Sequence, residues 1–176
     1  LQPHLDPGSF EAISVSWIRG FSKVTDAERV NQRRFERTLK RIAIGMPVGT
    51  TQTHNDHWDR LISYGGRGIS SEDLFWASGD STLTSTGDFT LKAEVCEVKV
   101  TGRVQHHWHD DYNWNPGMGV LIPGIGRIPD AAMDRLRTEG TARTFAMSAD
   151  WNQDLSGTVK KWIIGIWTAE WTWTGP

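Results

Sequence analysis

The chain predicts an α+β fold: N-terminal helices followed by a mostly antiparallel, curved β-sheet with one inserted helix. Two observations carry this. Before residue 80 the large apolar residues recur every three or four positions; after it the period shifts to two, with valine, isoleucine, threonine and tryptophan between glycine or Asn/Asp breaks. Helices first and strands second is the order of an α+β chain.

The first helix is expected to follow the Asp6-Pro7 cap and carry Phe10, Ile13, Trp17 and Phe21 on one face. Thr25-Asp26-Ala27-Glu28 reads as a capping box, opening a second helix that runs through Leu39 and Ile42 to about Gly45, with Pro47 just beyond. Residues 55–64, closing on Gly65-Gly66, and residues 70–76, closing on Gly79, read as short helices. Strands follow over 82–92, 94–101, 103–109, 144–151 and 157–173, and a helix over 130–139, ended by Gly140, is inserted among them. Alternation puts Trp167, Ala169, Trp171 and Trp173 on one side of the last strand, with Thr168, Glu170 and Thr172 on the other.

With 176 residues and no linker or repeat, the chain is one domain, with a helical part over 1–79 and a β-rich part over 80–176. A net charge of −2 gives no strong nucleic-acid signal, and the single cysteine, Cys96, excludes an internal disulfide. No apolar run reaches the length of a membrane span, and the stretch from Leu1 lacks the pattern of a secretory signal. Most of the ten tryptophans are expected in the core or on sheet faces.

The densest chemistry lies in His106-His107-Trp108-His109-Asp110-Asp111-Tyr112-Asn113-Trp114-Asn115. Alternation places Val104, His106 and Trp108 on one face, and Arg103, Gln105, His107 and His109 on the other. The strand is expected to end at Asp110, with a loop over 113–119. Four readings are open. His107, His109, Asp110 and Asp111 have the residue types of a metal set, Zn2+ above all, as in a metal-dependent nuclease or other hydrolase. Carboxylates holding Mg2+ with a histidine or tyrosine moving a proton would suit a phosphate ester. Trp108, Trp114 and the amides would suit a non-catalytic Trp-rich glycan-binding module, and a solvated turn with local backbone bonds is the plain alternative.

Asp110-Asp111-Tyr112-Asn113-Trp114-Asn115 resembles the active-site signature of the colicin M family, bacteriocin toxins that cleave a lipid-linked peptidoglycan precursor. The family pattern is Asp-x-Tyr-Asp-x-Asn followed by His-Arg. By position, Asp110, Tyr112 and Asn115 match it. Asn113 stands where the family has its second aspartate, and Gly119-Val120 where His-Arg is expected. The resemblance implies an antibacterial hydrolase of a phosphate ester, using Mg2+, secreted or delivered to act in the periplasm of a target bacterium. A cognate immunity protein would be its partner. Asp110, Tyr112, Asn113 and Asn115 would form the catalytic set, with His107, His109 or Arg127 supplying the missing basic groups and Asp110, Tyr112 and His107 meeting in one cleft.

Two further features stand out. Arg29, Arg33, Arg34, Arg37, Lys40 and Arg41 form a basic stretch on the second helix, suited to a solvated face or to anionic membrane headgroups, with Glu28 and Glu36 at salt-bridge spacing. His54 and His57 stand at i, i+3, with Asn55 read as a helix cap ahead of a packing Trp58.

Overall fold

The computed structural model describes residues 10–64, 80–112, 119–122, 126–129, 135, 138–139, 145–162 and 165–176. In chain order these form β1 (Phe10–Ala12), α1 (Val15–Ile18), α2 (Ser22–Gly45), β2 (Thr51–Ser63), β3 (Asp80–Ala93), β4 (Glu97–Tyr112), β5 (Gly119–Ile122), β6 (Gly126–Pro129), β7 (Phe145–Lys161) and β8 (Trp167–Thr174). The architecture is α+β. Strands β2, β3, β4 and β7 lie side by side, each antiparallel to the next. The far edge of β7 is shared: β1 runs parallel to its start and β8 antiparallel to its end. β5 and β6 form a separate hairpin.

Helix α2 crosses one face of this sheet. Val24, Ala27, Glu28, Asn31, Phe35, Leu39 and Ala43 are its buried positions, at the three- and four-residue steps that keep one stripe turned inward. On the sheet the same logic has period two, with Leu83, Ser85, Phe89, Leu91 and Ala93 buried along β3 and the residues between them more exposed. Under the last turns of α2, Phe35, Leu39 and Ala43 pack on Phe89, Leu91, Val98, Val100, Val104, Leu155 and Val159. Each large side chain buried there contributes about 1.5–3 kcal/mol. Three glycines make room for rings: a Cβ on Gly87 or Gly102 would fall on the Phe89 ring, and one on Gly157 would strike the Trp171 ring.

Several elements differ from the sequence reading. Phe10 belongs to a strand, and the first helix shrinks to the four residues of α1. The capping box does not form. α2 already begins at Ser22, so Thr25 lies inside its first turn and gives its hydroxyl to the Ser22 carbonyl at 3.0 Å, while Glu28 turns into the core. Residues 55–64 are mostly strand, because β2 finds thirteen cross-strand partners in β3. The pairs expected over 94–109 and 144–173 rearrange. β4 continues through Gly102, and β7 runs to Lys161 ahead of β8, with the Trp162 N–H donating to the Ile166 carbonyl at 2.8 Å. The short helix expected over 70–76 lies outside the described residues. So does most of the inserted helix over 130–139, though the Glu139 N–H donates to the Arg135 carbonyl at 2.9 Å, a helical step. The C-terminal end of α2 and the faces of β8 stand as expected.

Candidate functional site

Strand β4 distributes the His/Asp cluster over two faces. Val104, His106, Trp108 and Asp110 point into the layer under α2 and are buried, while Arg103, Gln105, His107, His109 and Asp111 face away. Positions three apart in a strand lie on opposite sides, so Asp110 and His107 do not meet. The expected cleft joining them is corrected by this parity, which β4 keeps two residues beyond Asp110.

On the outer face His107 donates through Nδ1 to Asp150 Oδ1 at 2.8 Å, and His109 donates through Nε2 to Asp111 Oδ1 at 3.2 Å. The two imidazoles stack at 5.8 Å, 16° from parallel. All four groups are solvent-accessible, so these pairs orient the rings more than they stabilise the fold. Because Asp110 lies across the sheet and Asp111 holds His109, the set His107, His109, Asp110 and Asp111 does not close around an ion. Among the described residues no group of three or more His, Cys, Asp or Glu side chains is arranged to hold a metal. His54 and His57 fall on opposite faces of β2 and cannot ligate together.

On the inner face Asp110, 3 % exposed, lies at the end of the core beside Trp108 and Tyr64, both fully buried. Trp108 Nε1 donates to Ser81 Oγ at 2.8 Å and to Tyr64 Oη at 3.1 Å, and the Tyr64 and Ser81 hydroxyls are 2.8 Å apart. Burial pushes the Tyr64 phenol above its ordinary pKa, and the charges of Asp110 and Asp80 push the same way. Tyr64 therefore keeps its proton at neutral pH and remains a hydrogen-bond donor. Burial of Trp108 removes its ring face from any glycan platform.

A second buried polar chain runs beneath α2. Asn31 Nδ2 donates to Ser85 Oγ at 2.9 Å, and Ser85 lies 2.8 Å from His106 Nδ1. His106 Nε2 lies 3.0 Å from Gln153 Oε1, which also receives Gln32 Nε2 at 2.8 Å. Since that amide oxygen only accepts, Nε2 carries the imidazole proton and Nδ1 accepts from the serine. Gln153 Nε2, Trp151 Nε1 and the Arg19 guanidinium converge on the Glu28 carboxylate at 3.0–3.1 Å. Burial holds His106 below the ordinary imidazole pKa, against the opposing pull of Glu28 and of the Gln153 hydrogen bond, so it is neutral. Sequence reading missed this chain and Tyr64. One signal was present: Glu28 and Asn31 fall in the same three- and four-residue stripe as Val24, Phe35 and Leu39, which marks them as buried polar groups in need of partners.

Of the remaining expected site residues, Tyr112 pairs with Phe145 at the end of β4 and Arg127 with Leu121 in the β5–β6 hairpin, their side chains lying outside the described residues together with Asn113 and Asn115. Comparison with protein-family models, curated proteins and solved structures finds no match to this chain.

Proposed function

We propose that this chain is an antibacterial toxin or effector domain that hydrolyses a phosphate ester in a lipid-linked peptidoglycan precursor, with Asp110 as its reacting carboxylate. The observation that carries the reading is the setting of Asp110: the first acid of the colicin M-like motif is nearly shielded from water beside the hydrogen-bonded Tyr64, Ser81 and Trp108. A carboxylate so placed can take a proton from an attacking water, and low local dielectric strengthens its interaction with developing charge. Tyr64, held protonated and fully buried against Ser81 and Trp108, fixes the polar setting of the carboxylate. Tyr112 follows on the same strand, two residues on. The resemblance implies Mg2+, a periplasmic site of action and a cognate immunity protein; among the described residues no group of three or more His, Cys, Asp or Glu is arranged to hold the metal.

A second reading rests on the His107–Asp150 pair. An aspartate that fixes Nδ1 leaves Nε2 to act as a general base, and an open polar sheet face would suit the extended substrate of a nuclease-like hydrolase.

Expression in a bacterium with and without an export signal tests the first reading. Exported protein is expected to lyse the cells and cytoplasmic protein to spare them. Asp110→Asn should abolish lysis, and Asn113→Asp, which restores the family's second carboxylate, should increase it. Lysis by the cytoplasmic form, or exported forms that are all equally harmless while folded, would overturn it.

A further inference from the structure

Helix α2 carries seven basic and three acidic residues in a chain of net charge −2. Its carboxylates offset only part of that positive charge. Glu28 is buried against Arg19, Trp151 and Gln153, and Glu36 accepts from Trp173 Nε1 at 2.8 Å. Glu36 is half-buried and turned toward Trp173, and Asp26 is exposed, 3.2 Å from Arg29. Glu28 and Glu36 thus do not form the relieving ion pairs that their spacing suggests. What is left is a row of exposed arginines at four-residue intervals, Arg29, Arg33, Arg37 and Arg41, spanning about 18 Å along the helix. Arg34 is turned aside over the Trp58 ring, 4.9 Å from its centroid.

The row ends in apolar side chains. Ile44, one turn beyond Lys40 and Arg41, is 43 % exposed, and Val48, just past the helix, is 63 % exposed. Nucleic acid would use the arginines but has no use for aliphatic groups at their end. A bilayer uses both, since phosphate headgroups attract the basic row and the headgroup–acyl boundary accepts the aliphatic end.

We infer that the outer face of α2 is a docking surface for an anionic lipid bilayer. Docked this way, the helix lies along the membrane plane. Its N-terminal end adjoins the end of the sheet that holds Tyr64 and Asp110, since Lys23 Nζ donates to the Ser63 carbonyl at 2.6 Å and Ser63 pairs with Asp80. The buried carboxylate is then carried at the bilayer surface, where a lipid-linked phosphate ester is found. In that last respect the inference rests on the function proposed above; the docking itself does not.

Co-sedimentation of the full chain with vesicles of 30 % phosphatidylglycerol in phosphatidylcholine tests it, against vesicles of phosphatidylcholine alone. Binding is expected only to the anionic vesicles and is lost in 0.5 M salt. Arg33→Glu with Arg37→Glu should weaken partitioning at least about 100-fold, Arg33→Lys with Arg37→Lys should retain it, and Ile44→Ser with Val48→Ser should weaken it by about tenfold. All three pairs alter exposed side chains, and their thermal unfolding should match the parent. Anionic-vesicle binding that survives the double charge reversal, binding to neutral vesicles, or tighter binding to a DNA duplex than to vesicles at equal salt would each overturn the proposal. Turnover of a detergent-solubilised precursor is measured separately. Vesicle binding without turnover overturns the enzymatic reading alone, and turnover without vesicle binding overturns the docking surface alone.

Discussion

The two ends of the layer between α2 and the sheet are built on different principles. Under the C-terminal turns of α2 the contacts are apolar: Phe35, Leu39 and Ala43 meet valines, leucines and Phe89, and glycines at 102 and 157 open space for rings. Under its N-terminal turns the apolar residues Val24, Leu83, Trp108 and Trp151 are threaded by buried polar groups, from Asn31 through His106 and Gln153 to Glu28 and from Trp108 to Tyr64 and Ser81. Buried hydrogen-bonded groups add less net stability than close-packed apolar ones, yet any one left unpartnered costs much. One end is therefore suited to holding the fold, and the other to holding chemistry in fixed orientation.

The sharpest way to break this contrast is in the apolar end. Phe35→Ala removes a fully buried ring that packs on Phe89 at 5.3 Å, and should lower the free energy of unfolding in urea by about 3–5 kcal/mol. A loss below 1 kcal/mol would mean that this end is not the anchor.

In the polar end, Glu28→Gln leaves the shape but sets an amide against Arg19, Trp151 and Gln153. A loss of about 2–3 kcal/mol is expected, reduced from a fully buried pair because Arg19 is partly exposed. Unchanged stability would show that the chain of hydrogen bonds contributes only orientation.

The smallest effect is in pH. Because the folded protein holds His106 neutral below its ordinary pKa, the unfolded chain binds the extra proton first as pH falls. The stability this imidazole contributes is complete above about pH 6.5, the ordinary imidazole value, and declines as pH falls below it. Unfolding midpoints taken across that range should fall toward acid, and His106→Gln should flatten the slope. A slope unchanged in the variant would place the titration elsewhere.

The contrast was partly legible in the residues themselves. The alternation 104–106–108 against 103–105–107–109 anticipates both faces of β4, and the spacing to Gly45 and Pro47 anticipates the end of α2. The same alternation, carried two residues further, separates Asp110 from His107; reading the strand as ending at Asp110 concealed this. β1 was not legible because three residues gain their conformation only from a distant parallel partner, Ala146–Ser148. In β2 the spacing of Trp58, Leu61 and Ile62 imitates a helix, and only pairing with β3 decides between the two. The polar chain was hidden because its members come from α2, β3, β4 and β7, and no local pattern brings them together.

The central claim is that the chemistry belongs to the inner carboxylate, Asp110, and not to the outer imidazole, His107. Release of a soluble phosphorylated saccharide from purified lipid-linked precursor in detergent tests it most directly, with the parent, Asp110→Asn and His107→Gln assayed together and their unfolding midpoints as the control for folding. The account expects turnover by the parent, a fall in kcat of at least about 100-fold for Asp110→Asn, and a change within about threefold for His107→Gln. Loss of turnover confined to His107→Gln, or full activity in folded Asp110→Asn, would contradict it.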